Sequence, residues 1–227
     1  MATPRKGYWL DGERLPSVTT VLGARKDAGG LIRWANAQGL EGKTLEEARA
    51  GAPEAGTLAH DGIEAYIHGV DYFRDSELPG LIELHGEDVV RLAREGFASF
   101  LDWYSHSGII IDPAKTELTM ISKAHRFGGT PDAIGEFRGK TILLDWKVSK
   151  GLYADYVLQI AAYTKLVEEN FPGMVIDSAH LCRFSKGVPV FTHVRMGKSV
   201  LDTAWEGFWH LRQAYDVDKW MKKNRIV

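Results

Sequence analysis

The chain has 227 residues, of which 44% are hydrophobic and 26% charged, with a formal net charge of −2. That composition supports a packed core and argues against disorder, and the near-neutral charge excludes a surface that coats nucleic acid throughout, so nucleic-acid contact needs a local patch. Cys182, the only cysteine, excludes an intramolecular disulfide and any all-cysteine zinc or iron–sulfur site, and points to a reducing, cytosolic compartment. The apolar runs are too short for a transmembrane helix. MATPRKGYWLDGE has neither the apolar stretch of a secretory signal nor the length and low acidity of a transit peptide.

YWLDGERL predicts a small hairpin with Asp11-Gly12 as its turn. SVTTVLGA predicts a short helix capped by Ser17. GLIRWANAQGL and TLEEARAG predict two further helices, the second with Thr44 and Glu47 at capping-box spacing. Pro53 and glycines separate these from EAGTLAHDGIEAYIHG, a helix opening near Thr57. From Glu87 to Tyr104, Val89, Leu92, Ala93, Phe97, Phe100 and Leu101 recur at helical spacing. The texture then changes. TELTMIS, FGGTPDAIGEF and TILLDWKVS are strand-like and divided by turn residues. A helix from about Asp155 to Asn170 ends at Pro172-Gly173. SAHLCRF and VPVFTHVRM form a hairpin around Ser185-Lys186-Gly187, and a long helix follows Ser199 and ends on KWMKKNR. This order predicts one α/β domain over residues 1–227 with a central sheet: a mainly helical part (1–107), a sheet and helix (108–196) and a C-terminal helix (197–227).

Register decides which charges meet. With Arg138-Gly139 as a tight turn, Phe137 faces Lys140 and Asp132 faces Asp145. Facing residues project to one face of the sheet, about 5 Å apart at Cβ. Lys147, two residues after Asp145, shares that face. With Ala124-His125 as a second tight turn, Glu117 faces Asp132. Opposed carboxylates repel unless positive charge lies between them. A divalent cation with oxygen ligands, Mg²⁺ or Mn²⁺, meets that need, and a nearby lysine suits phosphodiester chemistry. Ile142, Leu144 and Trp146 fall on the opposite face and are expected in the core, which leaves the Asp145–Lys147 face to open into a cleft.

Pro131-Asp132, twelve residues, then Asp145-Trp146-Lys147 resembles the PD-(D/E)xK nuclease signature. Gln159-Ile160-Ala161-Ala162-Tyr163 resembles the Q-x-x-x-Y motif of the RecB-like branch, and Gly56-Thr57-Leu58-Ala59-His60 its helical histidine motif. Leu15-Pro16-Ser17-Val18-Thr19-Thr20-Val21-Leu22 resembles the opening motif of the mitochondrial genome maintenance exonuclease and its phage and bacterial relatives. The resemblance implies a restriction-endonuclease-like core: a central mixed sheet flanked by helices, with an N-terminal helical segment. It implies a metal-dependent DNA exonuclease acting on single-stranded or free ends, in recombination, repair or replication. Structure-specific cleavage by an endonuclease or resolvase, or DNA binding without catalysis, are the rival readings.

By the same resemblance, His60, Asp132, Asp145, the Trp146 carbonyl and Glu117 would ligate one or two Mg²⁺ or Mn²⁺ ions. Lys147 would be the catalytic lysine. Gln159 and Tyr163, on one helix face, would hold the DNA or the lysine side. Ser149 and Lys150 would touch phosphate. Ser17, Arg25, Arg33 and Trp34 would belong to a wall over the strand. Glu64 shares the helix face of His60. The iron–sulfur cluster of one branch is excluded, because it needs four cysteines. No membrane contact follows. A bacterial or phage protein in the cytoplasm fits, and so does a mitochondrial one.

Overall fold

A computed structural model describes residues 7–24, 29–44, 51–149, 151–185 and 190–226. The chain opens on a hairpin of β1 (Tyr8–Leu10) and β2 (Glu13–Leu15). Asp11 and Gly12, at φ 51° and 78°, make its turn. Positive φ at both central residues matches the right-handed twist of the flanking strands. Helix α1 (Val18–Ala24) follows, with the Ser17 hydroxyl accepting the Thr20 N–H at 2.9 Å as the expected cap. Helix α2 spans Gly29–Leu40. Most of the predicted helix TLEEARAG, including Glu47, lies outside the described residues.

Helix α3 (Ala52–Ile67) begins five residues before Thr57, with Pro53 in its first turn. Proline there lacks only an N–H that has no intrahelical partner, so it opens the helix instead of preceding it. Helix α4 (Leu78–His85) was not legible as a separate element, and α5 (Glu87–Ser107) extends the predicted amphipathic helix by one turn.

Five strands, not three, follow: β3 (Ile109–Thr116), β4 (Met120–Ser122), β5 (Phe127–Gly129), β6 (Ala133–Phe137) and β7 (Lys140–Val148). Helix α6 (Ala154–Asn170), β8 (Ser178–Phe184), β9 (Phe191–Gly197) and α7 (Lys198–Lys223) complete the order. The main sheet runs β3-β6-β7-β8-β9, and β4-β5 form a separate ribbon. β7 and β8 are parallel, joined through α6, and the other pairs are antiparallel. β3 is an edge strand, so Pro113 costs it no needed ladder bond.

Both faces of the sheet are covered. On one, Ile63 of α3 and Phe100 and Trp103 of α5 pack against Ile142, Leu144, Trp146 and Phe184. On the other, Ile160, Tyr163 and Leu166 of α6 and Phe208 of α7 pack against Ile134, Leu143 and Leu181. Each such fully buried side chain stabilises the fold by about 1.5–3 kcal/mol in transfer free energy. The result is the mixed α/β, restriction-endonuclease-like layering that the sequence motifs imply. Among the described residues, no helix is long and apolar enough to cross a membrane.

Candidate active site

The β6–β7 hairpin has the expected register. Phe137 pairs with Lys140 and Ala133 with Leu144, and Arg138 and Gly139 adopt φ 53° and 75° in the turn. One step further along, Asp132 lies across from Asp145. The Oδ2 of Asp132 accepts the Trp146 N–H at 2.7 Å. In a strand, the N–H and C=O of one residue point to the same neighbour. The Trp146 carbonyl therefore also faces the Asp132 side, where β6 has ended.

The β4–β5 ribbon keeps the expected register but not the expected turn. Ser122 pairs with Phe127, so residues 123–126 form a four-residue loop around Ala124-His125. Polar side chains stabilise the longer loop: Glu169 accepts the Lys123 and Ala124 N–H groups at 2.7 and 3.1 Å, and Ser122 Oγ accepts the His125 N–H at 2.9 Å. Across the ribbon, Thr116 pairs with Ala133, and the Glu117 N–H donates to the Asp132 carbonyl at 3.1 Å. Glu117 sits at φ 47°. A non-glycine residue there is uncommon, and it breaks the single strand predicted for TELTMIS.

His60 comes from α3 on the other side of the sheet. Its Nδ1 is 3.5 Å from Asp132 Oδ1, too long for a good hydrogen bond. Ligand atoms of His60, Glu117 and Asp132 all lie within 4.8 Å of one another. Beside them Lys147 Nζ is 2.5 Å from Asp145 Oδ2, an ion contact rather than an aligned hydrogen bond. Lys147 Nζ also lies 5.4 Å from the centre of the Tyr156 ring.

The charges are buried, and this corrects the expected open cleft. Asp132 and Asp145 are 0% exposed and Lys147 is 7%. β7 is a central strand with a helical layer on each face, and α6 covers the face that carries Asp145 and Lys147. Burial, opposed by Lys147 and reinforced by Asp132, pushes Asp145 up to about 7. Burial, with the charges of Asp132 and then Glu64, pushes Glu117 up to about 9. For Asp132 burial acts upward too, but His60, Lys147 and the Trp146 N–H outweigh it and hold the carboxyl below its usual value.

Among the described residues, His60 Nδ1, Asp132 Oδ1 and both Asp145 carboxylate oxygens are buried without a hydrogen bond. Leaving such groups unsatisfied is costly. One imidazole nitrogen and several carboxylate oxygens that converge suit a divalent cation such as Mg²⁺ or Mn²⁺. The donor set therefore fits the implied metal, with Glu117 in the tightest group.

Other expected residues are placed differently. Gln159 and Tyr163 are 3% and 2% exposed, with Gln159 Nε2 donating to the Tyr163 hydroxyl at 2.8 Å. Helix α6 turns this face onto the sheet, so these two buried side chains lie on the side of Asp145 and Lys147. The Ser17 hydroxyl is committed to capping α1, though Ser17 also lines a cavity of about 340 Å³ with Tyr8, Arg14, Thr20, Tyr215 and Lys219. The Ser149 Oγ donates to the Gly151 carbonyl at 2.8 Å. Arg33 is exposed and Trp34 half-buried on α2, and neither is shown beside the carboxylates. Arg25 and Lys150 lie outside the described residues. Sequence reasoning missed Tyr156, although Tyr156, Gln159 and Tyr163 have the i, i+3, i+7 spacing of one helix face.

Asp132, Asp145 and Lys147 thus stand at the ends of two adjacent strands of a mixed sheet with helices on both faces. No family model and no curated protein matches the chain. Among solved structures the chain is similar to LHK-Exo in complex with dAMP, at 12% identity over 93% of each chain, with a TM-score of 0.43. It is also similar to a phage related exonuclease from Haemophilus somnus 129PT, at 13% identity over 64% of this chain and 80% of that one, with a TM-score of 0.36. At that identity and similarity, the chemistry of this site rests on its own geometry.

Proposed function

We propose that this chain is a Mg²⁺- or Mn²⁺-dependent deoxyribonuclease that removes nucleotides from DNA ends, with single-stranded ends as substrate. Residues 1–227 would act as one nuclease domain. The observation that carries the reading is the convergence of His60, Glu117 and Asp132 donor atoms within 4.8 Å, beside a buried Asp145–Lys147 contact. Asp132, Asp145, His60, Glu117 and the Trp146 carbonyl would hold the metal. When bound, it would supply an activated water and charge neutralisation at the phosphate.

The chain's own residues have distinct tasks. The Trp146 N–H fixes the Asp132 carboxylate in one orientation. Asp145 holds the Lys147 ammonium at the end of β7, from which it would turn to a phosphate oxygen or to the attacking water. Glu117 carries a proton near neutral pH in the metal-free chain and gives it up on ligating a cation. Gln159 and Tyr163 back the Asp145–Lys147 side from α6. Hydrolysis in line would leave a 5′-phosphate and a 3′-hydroxyl.

The test is digestion of 5′- and 3′-end-labelled single- and double-stranded DNA, with Mg²⁺, Mn²⁺ or chelator. Metal-dependent release of nucleotides from single-stranded ends is expected, with no cutting of circular single strands. Asp145→Ala and Lys147→Ala should abolish cleavage, and Asp145→Ala should also weaken metal binding. Cleavage by either variant at the wild-type rate would overturn the site. Cutting of closed circles would make the enzyme an endonuclease, and DNA binding without cleavage in any metal would leave a binding module.

A further inference from the structure

We propose that Tyr153 and Tyr156 form a stacking platform for the base of an unpaired nucleotide held at the catalytic centre. This rests on the nuclease reading above and adds what the site grips besides phosphate. Tyr156 lies in the first turn of α6 and Tyr153 is the residue just before that helix. The Tyr156 N–H donates to the Tyr153 carbonyl at 3.0 Å, which ties the two residues together through the backbone. Their rings meet edge to face, with centroids 5.4 Å apart.

Tyr156 faces inward: Lys147 Nζ stands 5.4 Å from its ring centre. Tyr153 faces outward and is 55% exposed. Its Cζ and hydroxyl would each lie 3.7 Å from a Cβ built on Gly151, so the ring rests against the loop that leaves β7. Two aromatic steps of equal length thus run from the lysine of the site to solvent. A base in a duplex has both faces stacked, whereas an unpaired base offers one to a protein ring. The pair would therefore favour single-stranded ends without reading sequence, because every base has a π-face.

The experiment uses the full chain in chelator, so that DNA is bound but not cut. Single-stranded oligothymidylates carry 2-aminopurine at each of the first few positions from either end. Fluorescence should be quenched at one position on binding. Tyr153→Ala should relieve that quenching and weaken binding about tenfold, while Tyr153→Phe should preserve both. With an abasic nucleotide at the same position, Tyr153→Ala should have no further effect. Equal losses for intact and abasic strands, or unchanged quenching in Tyr153→Ala, would overturn the platform. Thermal unfolding of Tyr153→Ala should match wild type, because the side chain is exposed. Normal wild-type binding and metal-dependent cutting without coupling between Tyr153 and the base refute the platform alone. Absence of both DNA binding and cutting in the wild type refutes the nuclease reading and the platform with it.

Discussion

Replacing Glu117 with glutamine isolates the electrostatic cost of assembling the carboxylate cluster. In the folded chain the Glu117 carboxyl is pushed from 4.5 up to about 9, by burial first and then by Asp132 and Glu64. Below 4.5 the folded and unfolded chains both hold the proton. Between 4.5 and about 9 the folded chain keeps it and the unfolded chain has lost it. Stability therefore falls as pH rises through this window and levels off above it. At about 1.36 kcal/mol per pH unit, the ceiling is about 6 kcal/mol. Glu117 is only partly buried, and screening by water reduces the expected effect to about 3 kcal/mol. Glutamine has the shape of the protonated acid and does not titrate. Urea unfolding in chelator should find the two proteins nearly equal at about pH 5 and Glu117→Gln more stable by about 3 kcal/mol at about pH 9. Added Mg²⁺ or Mn²⁺ should stabilise the wild type more than the variant, since a ligand that binds only the folded state adds its binding free energy. Parallel loss of stability in both proteins between pH 5 and 9 would refute the reasoning, because the retained proton would then lie elsewhere.

Two further predictions concern the frame around the site. In Gly129→Ala the new Cβ would lie 2.6 Å from Tyr163 Cε1 and 2.8 Å from Leu166 Cδ1. The overpacking should cost about 1–3 kcal/mol and lower the unfolding midpoint by several degrees; an unchanged midpoint would show that Tyr163 is free to move. His180 is pushed down to about 4 by burial first, then by His193 and Arg195, and burial also lowers His193. His193 Nε2 and His180 Nδ1 are 2.9 Å apart, and Trp103 Nε1 donates to His193 Nδ1 at 3.2 Å. That chain needs both rings neutral, so the stability it supports is present above about 6.5 and lost as pH falls toward 4. His180→Asn should remove this part of the pH profile; identical acid-side slopes in variant and wild type would disprove it.

The legible part of the site was local. Side chains alternate along a strand, and Arg138-Gly139 dictates a two-residue turn, so the facing of Asp132 and Asp145 followed from sequence alone. The 123–126 loop shows the limit of that reasoning. Its register survived a wrong turn length only because the extra residues are symmetric about Ala124-His125. The longer loop depends on Glu169, more than forty residues away in sequence. Pro53 marks a boundary in the sequence, because proline breaks a helix interior, whereas at the first turn it begins one. Strand β3 was hidden by Pro113 and by the break at Glu117, both tolerated because β3 lies at the sheet edge.

Sequence by itself determined which groups share a face: Asp132, Asp145 and Lys147 on one strand face, and His60 and Glu64 one helical turn apart. Periodicity and turn geometry act over a few residues, and they suffice for that much. Tertiary structure alone decided that α3, from the other side of the sheet, brings His60 Nδ1 to 3.5 Å from Asp132, and that α6 closes over Asp145 and Lys147. The strand pattern of β7 is the same whether its second face meets water or a helix. Only the parallel crossover through α6 buries that face, and burial is what pushes the Asp145 carboxyl upward.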